Sequence, residues 1–317
     1  MRGLRFENGE RSERLSQEDL GKDKASEVVG VVGLGLIGGS IGLALRDSSL
    51  RVVGCDLNPA HAETALKRQC VDEVCPFEEV AKAGVVFLAV PPGSLVDVAE
   101  RAAQTSPPTT VITDCGSVKA EVAEWALKSK TERFVPGHPM AGHEKGGPEY
   151  ASSWLFRNAR WLLTPTKITD RAAVAAVEKL VKKMGATPVR LDASEHDRHV
   201  ALLSHLPHVL ASSLVLLSED LSSIEVAGGS WRDWTRVAGV DPQLWSQIFL
   251  GNRKELARAI DVLIVRLSDV RGHLAEGDAT ALLEELKKTQ LVKARQEMAL
   301  PKPKPAGTHG KTRKVRR

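Results

Sequence analysis

The stretch Gly33-Leu34-Gly35-Leu36-Ile37-Gly38 limits what this chain can fold into more than any other. It has the spacing G-x-G-x-x-G. Before it lie Val28, Val29, Val31 and Val32, a short β-branched run that reads as a buried strand. After it, Ile37 to Arg46 reads as a helix. A glycine turn between strand and helix places free N–H groups where a dinucleotide pyrophosphate binds. Gly33 permits the tight turn, Gly35 lets the backbone approach the phosphates, and Gly38 lets the helix pack closely on the strand. Leu36 and Ile37 complete the expected cofactor-binding turn. The spacing alone is a weak signal, and Asp56 strengthens it. Asp56 ends a second strand, Arg51 to Cys55, 18 residues past Gly38. A carboxylate there accepts hydrogen bonds from the adenosine ribose and repels a 2′-phosphate. Leu57, Asn58 and Pro59 supply no arginine to reverse that preference, so the expected cofactor is NAD rather than NADP.

Strands and helices continue to alternate. Pro59 to Gln69 reads as a helix opened by Asn58. Val85 to Val90 is a third strand, stopped by Pro91-Pro92, and Val90 and Pro91 join the expected cofactor contacts. Thr110 to Thr113 is a fourth strand. A helix is expected from Gly116-Ser117 through Trp125 and Leu127. Arg133 to Val135, Trp161 to Thr164 and Thr187 to Leu191 are further strands, with an amphipathic helix at Asp170 to Met184 before the last. From Ser194 onward the strand signal disappears. His196 to Leu217, Gln243 to Glu276 and Ala279 to Gln296 read as helices. The expected class is α/β: an N-terminal Rossmann-type doubly wound parallel sheet, then an all-helical C-terminal dimerisation domain. The expected divisions are a polar extension at 1–26, an NAD-binding domain at 27–192, a helical substrate and dimerisation domain at 193–300, and a basic tail at 301–317. The helical part carries enough apolar surface to suggest a homodimer.

Composition excludes several other classes. The chain has 317 residues, 42% of them hydrophobic, enough for a large core. No uninterrupted apolar run approaches the roughly 20 residues that span a bilayer, so no membrane partner is expected. The charged N-terminus lacks the apolar segment of a signal peptide, which indicates the cytoplasm. Cys55, Cys70, Cys75 and Cys115 form no C-x-x-C pair and read as reduced thiols. The net charge of +4 is carried by the tail. Lys302 to Arg317 hold seven basic and no acidic residues, so the rest of the chain stands at −3. No aromatic residues interleave that tail, so it is no argument for specific nucleic-acid binding.

Ligands of open α/β sheets bind beyond the carboxyl ends of the strands. Three segments should gather there: Ala89 to Pro92, Asp114 to Lys119, and Gly137 to Glu144. His138 stands between Gly137 and Pro139, an unpromising place for a packing residue. Oxidation of an alcohol needs a base for the hydroxyl proton, and neutral histidine suits it near pH 7. Ser117 should cap a helix, contact a substrate hydroxyl or orient His138. Arg236 is a candidate carboxylate anchor, since guanidinium holds carboxylates bidentately and keeps its charge. His196, His199, His205 and His208 invite a metal reading, but no acidic or thiolate ligand accompanies them, and no metal is expected. A hydrolase built on Cys115 and His138 would leave the glycine turn without a use.

Taken together, Gly33 to Ser40, Asp114 to Lys119, Gly137 to Gly147, Glu195 to His208 and Asp233 to Pro242 resemble the prephenate and arogenate dehydrogenase family of tyrosine biosynthesis. The likeness spans about residues 28–298. It implies an NAD-dependent oxidative decarboxylation of a cyclohexadienol. In that resemblance His138 takes the C4 hydroxyl proton and Ser117 contacts the hydroxyl and orients His138. His205 and His208 touch the substrate, Arg236 holds a carboxylate, and Glu144 lies at the pocket mouth. Prephenate is the expected substrate, with arogenate or dual use as the alternative. His143 departs from the small polar residue common in the family, which leaves side-chain selectivity open. Competing readings are another two-domain hydroxyacid dehydrogenase, which would rely on a lysine in the helical part, and a non-catalytic NAD-binding module.

Overall fold

A computed structural model describes residues 28–46 and 48–299. The polar extension and the basic tail expected at the two ends lie outside these residues.

The first part of the chain alternates strands and helices. They run β1 (Val28–Val32), α1 (Leu36–Leu45), β2 (Arg51–Cys55), α2 (Pro59–Lys67), β3 (Glu73–Val74), α3 (Phe77–Val80), β4 (Val85–Leu88), α4 (Leu95–Thr105), β5 (Val111–Asp114), α5 (Ala120–Lys128) and β6 (Phe134–Val135). The six strands are all parallel, in the order β3-β2-β1-β4-β5-β6. That is the doubly wound order, with its topological switch between β1 and β4. Side chains of each strand alternate between two cores. Val29, Val31 and Phe87 enter one, while Val32, Val86 and Leu88 enter the other.

A second, three-stranded sheet follows: β7 (Gly137–Pro139), β8 (Arg160–Leu163) and β9 (Thr187–Arg190), with α6 (Arg171–Lys183) before β9. Strand β7 runs antiparallel to β8, with His138 opposite Leu162. His138 therefore stands on a strand and not on a loop. A three-residue strand containing glycine and proline gives no alternation to read, and proline is tolerated there only because β7 is an edge.

Among the described residues no strand follows β9. Helices α7 (Ala193–Val200), α8 (Leu206–Leu217), α9 (Gly229–Thr235), α10 (Pro242–Gly251), α11 (Arg253–Glu276) and α12 (Ala279–Ala299) make up the rest. A π-helical turn, Ala201–His205, joins α7 to α8. The run Ala193–Leu217 is thus 25 residues long, with an 18-residue window of mean hydropathy 1.8, long and apolar enough to cross a membrane. That holds by length and composition only, and His196, His205 and His208 keep it from being an uninterrupted apolar run. Within the fold the same run buries Asp197, His196 and His205 among protein partners. The helix expected over Gln243 to Glu276 is two helices, parted at Asn252, where the backbone leaves helical geometry and the side chain turns inward.

The chain divides into two compact units, residues 1–256 and 257–317. The second holds most of α11 and α12, joined through Gly277 at φ +68° and capped by Asp278, which accepts from Ala281 N–H.

Candidate active site

The glycine turn opens at the switch point. Gly33 adopts φ +90°, and a Cβ on it would lie 2.4 Å from the Ala89 carbonyl, so only glycine fits between β1 and β4. Around Gly35 nothing lies within 4 Å of where a Cβ would stand, which leaves the turn open to a ligand. Gly38 differs from the rest of the turn. It packs against the Gly33 carbonyl, where a Cβ would come within 1.8 Å, and is absent from the cavity wall. Its missing side chain serves helix–strand packing.

A groove of about 880 Å³ runs from this turn, lined by Gly33, Gly35, Leu36, Ile37, Asp56, Val90 and Pro91 among others. Asp56 is held in place from two sides. Leu34 N–H donates to its Oδ2 at 2.6 Å and Asn58 N–H to its Oδ1 at 2.7 Å. Each oxygen keeps a further lone pair for a ribose hydroxyl.

A cavity of about 410 Å³ adjoins the groove and shares Leu36, Ile37, Ser117, Glu144 and Trp245 with it. That volume suits a small organic acid. His138, Ser117, His205, His208, Arg236 and Glu144 all line it. The structure thus brings together every residue expected to act on a substrate.

The backbone beneath His138 is clamped. Gly137 N–H donates to Asp114 Oδ1 at 3.0 Å, and the Gly137 carbonyl accepts from Lys119 Nζ at 2.8 Å. Lys119 and Asp114 form an ion pair with no solvent exposure at all. A side chain at 137 would meet the Asp114 carbonyl, Thr113 Oγ1 and Trp161 Nε1, all within 3.1 Å.

The ring of His138 is 2.9 Å from His196, Nδ1 to Nε2, and His196 Nδ1 is 2.7 Å from Asp197 Oδ1. Burial, reinforced by His196 and Lys119, holds the His138 pKa well below the usual histidine range. A neutral imidazole at pH 7 follows, as a proton acceptor requires. Burial likewise lowers His196, against the opposing pull of Asp197, and brings His205 down to about 4.

Ser117 does not cap a helix. Helix α5 starts at Ala120, and its first N–H groups are met from outside. Lys119 N–H donates to Asp197 Oδ1 and Ala120 N–H to Asp197 Oδ2, both at 2.8 Å. Nothing near Ser117 in sequence reveals a cap 77 residues away. Ser117 remains a cavity residue, but the described partner of the His138 ring is His196. His196, Asp197 and Asn252 are the site residues that sequence reading missed. Asn252 donates from Nδ2 to the Asp197 carbonyl at 2.7 Å and lies 3.2 Å from His205 Nδ1. It sits inside a stretch that reads as one unbroken helix, so nothing local marks it.

The clustered histidines separate in space. His196 faces His138, His205 faces Asn252, His208 stacks on Trp245 with centroids 3.4 Å apart, and His199 is exposed near Glu195. His205 Nε2 and His208 Nδ1 are buried without a partner among the described residues, and both residues border the cavity. Arg236 pairs with Glu144 at 2.8 Å across its mouth. Cys115 is a poor nucleophile, because burial and the Asp114 charge push its thiol pKa far up.

Two family descriptions fit successive parts of this chain. The prephenate dehydrogenase nucleotide-binding domain matches residues 41–190, starting past the glycine turn, and the prephenate dehydrogenase dimerization domain matches residues 192–288. The chain belongs to the prephenate dehydrogenase family. Among relatives, the prephenate dehydrogenase of Bacillus subtilis (strain 168) is 35% identical over 277 residues, covering 84% of this chain and 75% of that protein. The cyclohexadienyl dehydrogenase of Zymomonas mobilis is 32% identical, covering 83% of this chain and 93% of the other. The crystal structure of A. aeolicus prephenate dehydrogenase in complex with hydroxyphenyl propionate and NAD+ is similar at TM-score 0.79 and 30% identity, covering 85% and 98% of the two chains. Membership of the prephenate dehydrogenase family agrees with a groove at the glycine turn that opens onto a small cavity carrying His138 and Arg236.

Proposed function

We propose that the protein is an NAD-dependent prephenate dehydrogenase, converting prephenate to 4-hydroxyphenylpyruvate with loss of carbon dioxide in tyrosine biosynthesis. The observation that carries this reading is His138, neutral and clamped, on the wall of a cavity that joins the glycine-turn groove and ends at Arg236. The open turn at Gly35 and the fixed carboxylate of Asp56 suit NAD, with Gly33, Leu36, Ile37, Val90 and Pro91 around it. Bound there, NAD supplies the hydride acceptor. His138 Nδ1 is engaged by His196, so Nε2 is the nitrogen left to take the C4 hydroxyl proton. Ser117 lies on the same wall to contact that hydroxyl. Arg236 would hold a carboxylate by exchanging Glu144 for it. His205 and His208 each offer an unpaired ring nitrogen to the bound acid. Electrons left by the departing carboxylate aromatise the ring, which makes the reaction effectively irreversible.

A second reading is use of arogenate, alone or beside prephenate, and the likeness to a cyclohexadienyl dehydrogenase favours it. Arogenate differs by an ammonium group, and Glu144 is the carboxylate at the cavity mouth able to meet one. The deciding experiment follows NADH formation with each acid as substrate. Turnover of neither acid would end both readings. We also place the functional division at Asp192 and infer a cytoplasmic homodimer, an inference supported by the dimerization-domain match and by exposed Leu203, Leu216 and Leu217.

A further inference from the structure

We propose that Asp197 is a positioning residue that sets opposite tautomers on two cavity histidines, leaving His138 Nε2 a bare lone pair and His205 Nε2 a hydrogen-bond donor. This deepens the reading of His138 as the base and rests on it for its catalytic meaning.

The first arm runs through the Asp197 side chain. Both carboxylate oxygens face backbone N–H groups, those of Lys119 and Ala120, which can only donate. Toward His196 Nδ1, 2.7 Å from Oδ1, the carboxylate is therefore an acceptor, and His196 Nδ1 carries the proton. A neutral His196 then has an acceptor at Nε2. His138 Nδ1, 2.9 Å away, must donate to it. His138 is neutral as well, so its one proton sits on Nδ1 and its Nε2 is unprotonated. Free histidine offers no such guarantee, because either nitrogen can hold the proton.

The second arm runs through the Asp197 backbone. Its carbonyl can only accept, so the atom of Asn252 that lies 2.7 Å from it is the amide nitrogen. The remaining N–H of that amide points to His205 Nδ1 at 3.2 Å, which must then accept. Neutral His205 carries its proton on Nε2, the buried nitrogen without a partner among the described residues. One residue thus fixes a base and a donor on the wall of one cavity. Because the two arms leave from different groups of Asp197, they can be separated by mutation.

Nitrogen-15 NMR of histidine-labelled full-length protein, near pH 7.5, tests this directly, since protonated and bare ring nitrogens resonate far apart. The nine histidines are assigned by single substitution. The expected spectrum has His138 protonated on Nδ1 and His205 on Nε2. In His196→Phe, His138 should lose that single form while His205 keeps its own. The kcat for prephenate should drop by about 10²-fold, with the KM values and NAD affinity nearly unchanged. His196→Gln restores an amide acceptor and should stay within about tenfold of wild type. A wild-type spectrum with the His138 proton on Nε2 overturns the proposal. So does equal damage in both variants with no change at His138, which would mark a packing role. If His196→Phe does not fold, the wild-type spectrum still decides. If wild type turns over neither acid, the functional reading fails while the tautomers stand or fall separately.

Discussion

At the scale of single residues, the site is governed by burial acting on imidazoles. His138→Asn should lower kcat by about 10²–10⁴-fold with little change in NAD binding, measured by initial rates and titration. Arg236 sits at the solvent edge, so its loss acts on binding. Arg236→Ala should raise the prephenate KM by about 10- to 100-fold, the worth of a charge-assisted contact, with kcat nearly held. An unchanged KM would remove Arg236 from the anchor role. The pH dependence has a definite sign. His138 titrates well below the usual histidine range, so kcat should stay level as pH falls through 6.5 and decline only at lower pH. Stability follows the same groups. His138, His196 and His205 are buried, and each is held below its unfolded value of about 6.5. Their stabilising contribution is full above that value and is lost as pH falls toward the folded value, about 4 for His205. Each histidine still neutral in the fold contributes a slope of about 1.4 kcal/mol per pH unit. Melting temperatures recorded between pH 7 and about 4.5 should therefore fall steeply.

At the scale of elements, the buried pair Asp114–Lys119 joins the end of β5 to the start of β7. Lys119→Met would leave the Asp114 charge alone in the interior and should cost about 3–5 kcal/mol in urea unfolding. The parallel sheet was legible because its strands are short apolar runs ended by glycine, proline or aspartate, as at Val28–Val32 and Val85–Leu88. So was the glycine turn Gly33 to Gly38, since it depends on local residue type. What was illegible depends on contacts between distant segments. Strand β7 exists because β8 pairs with it. The cap of α5 comes from α7, not from Ser117. His196 looked like one of several histidines until α7 set it against His138. Asn252 broke a helix for a hydrogen bond that no local pattern encodes. The π-helical turn Ala201–His205 belongs to the same group. A helix of α geometry throughout would turn about 100° per residue. A π turn advances less, and this one ends at His205, which lines the cavity.

At the scale of the molecule, much apolar surface is left uncovered on the run that carries the histidines. Leu203 is 72% exposed and Leu217 79% exposed. Sedimentation at micromolar concentration should give twice the mass of one chain, and Leu217→Glu should shift it toward the monomer. A monomeric wild type would count against the dimer. The seam between the two family matches, near residue 191, suggests two parts that could be expressed apart. Asp197 argues otherwise. Severing the chain at that seam strips α5 of the carboxylate at its first turn and leaves the Gly137 strand without the histidine leaning on it. Ancestry draws its border there, but cooperativity does not, and residues 28–256 should melt in a single transition.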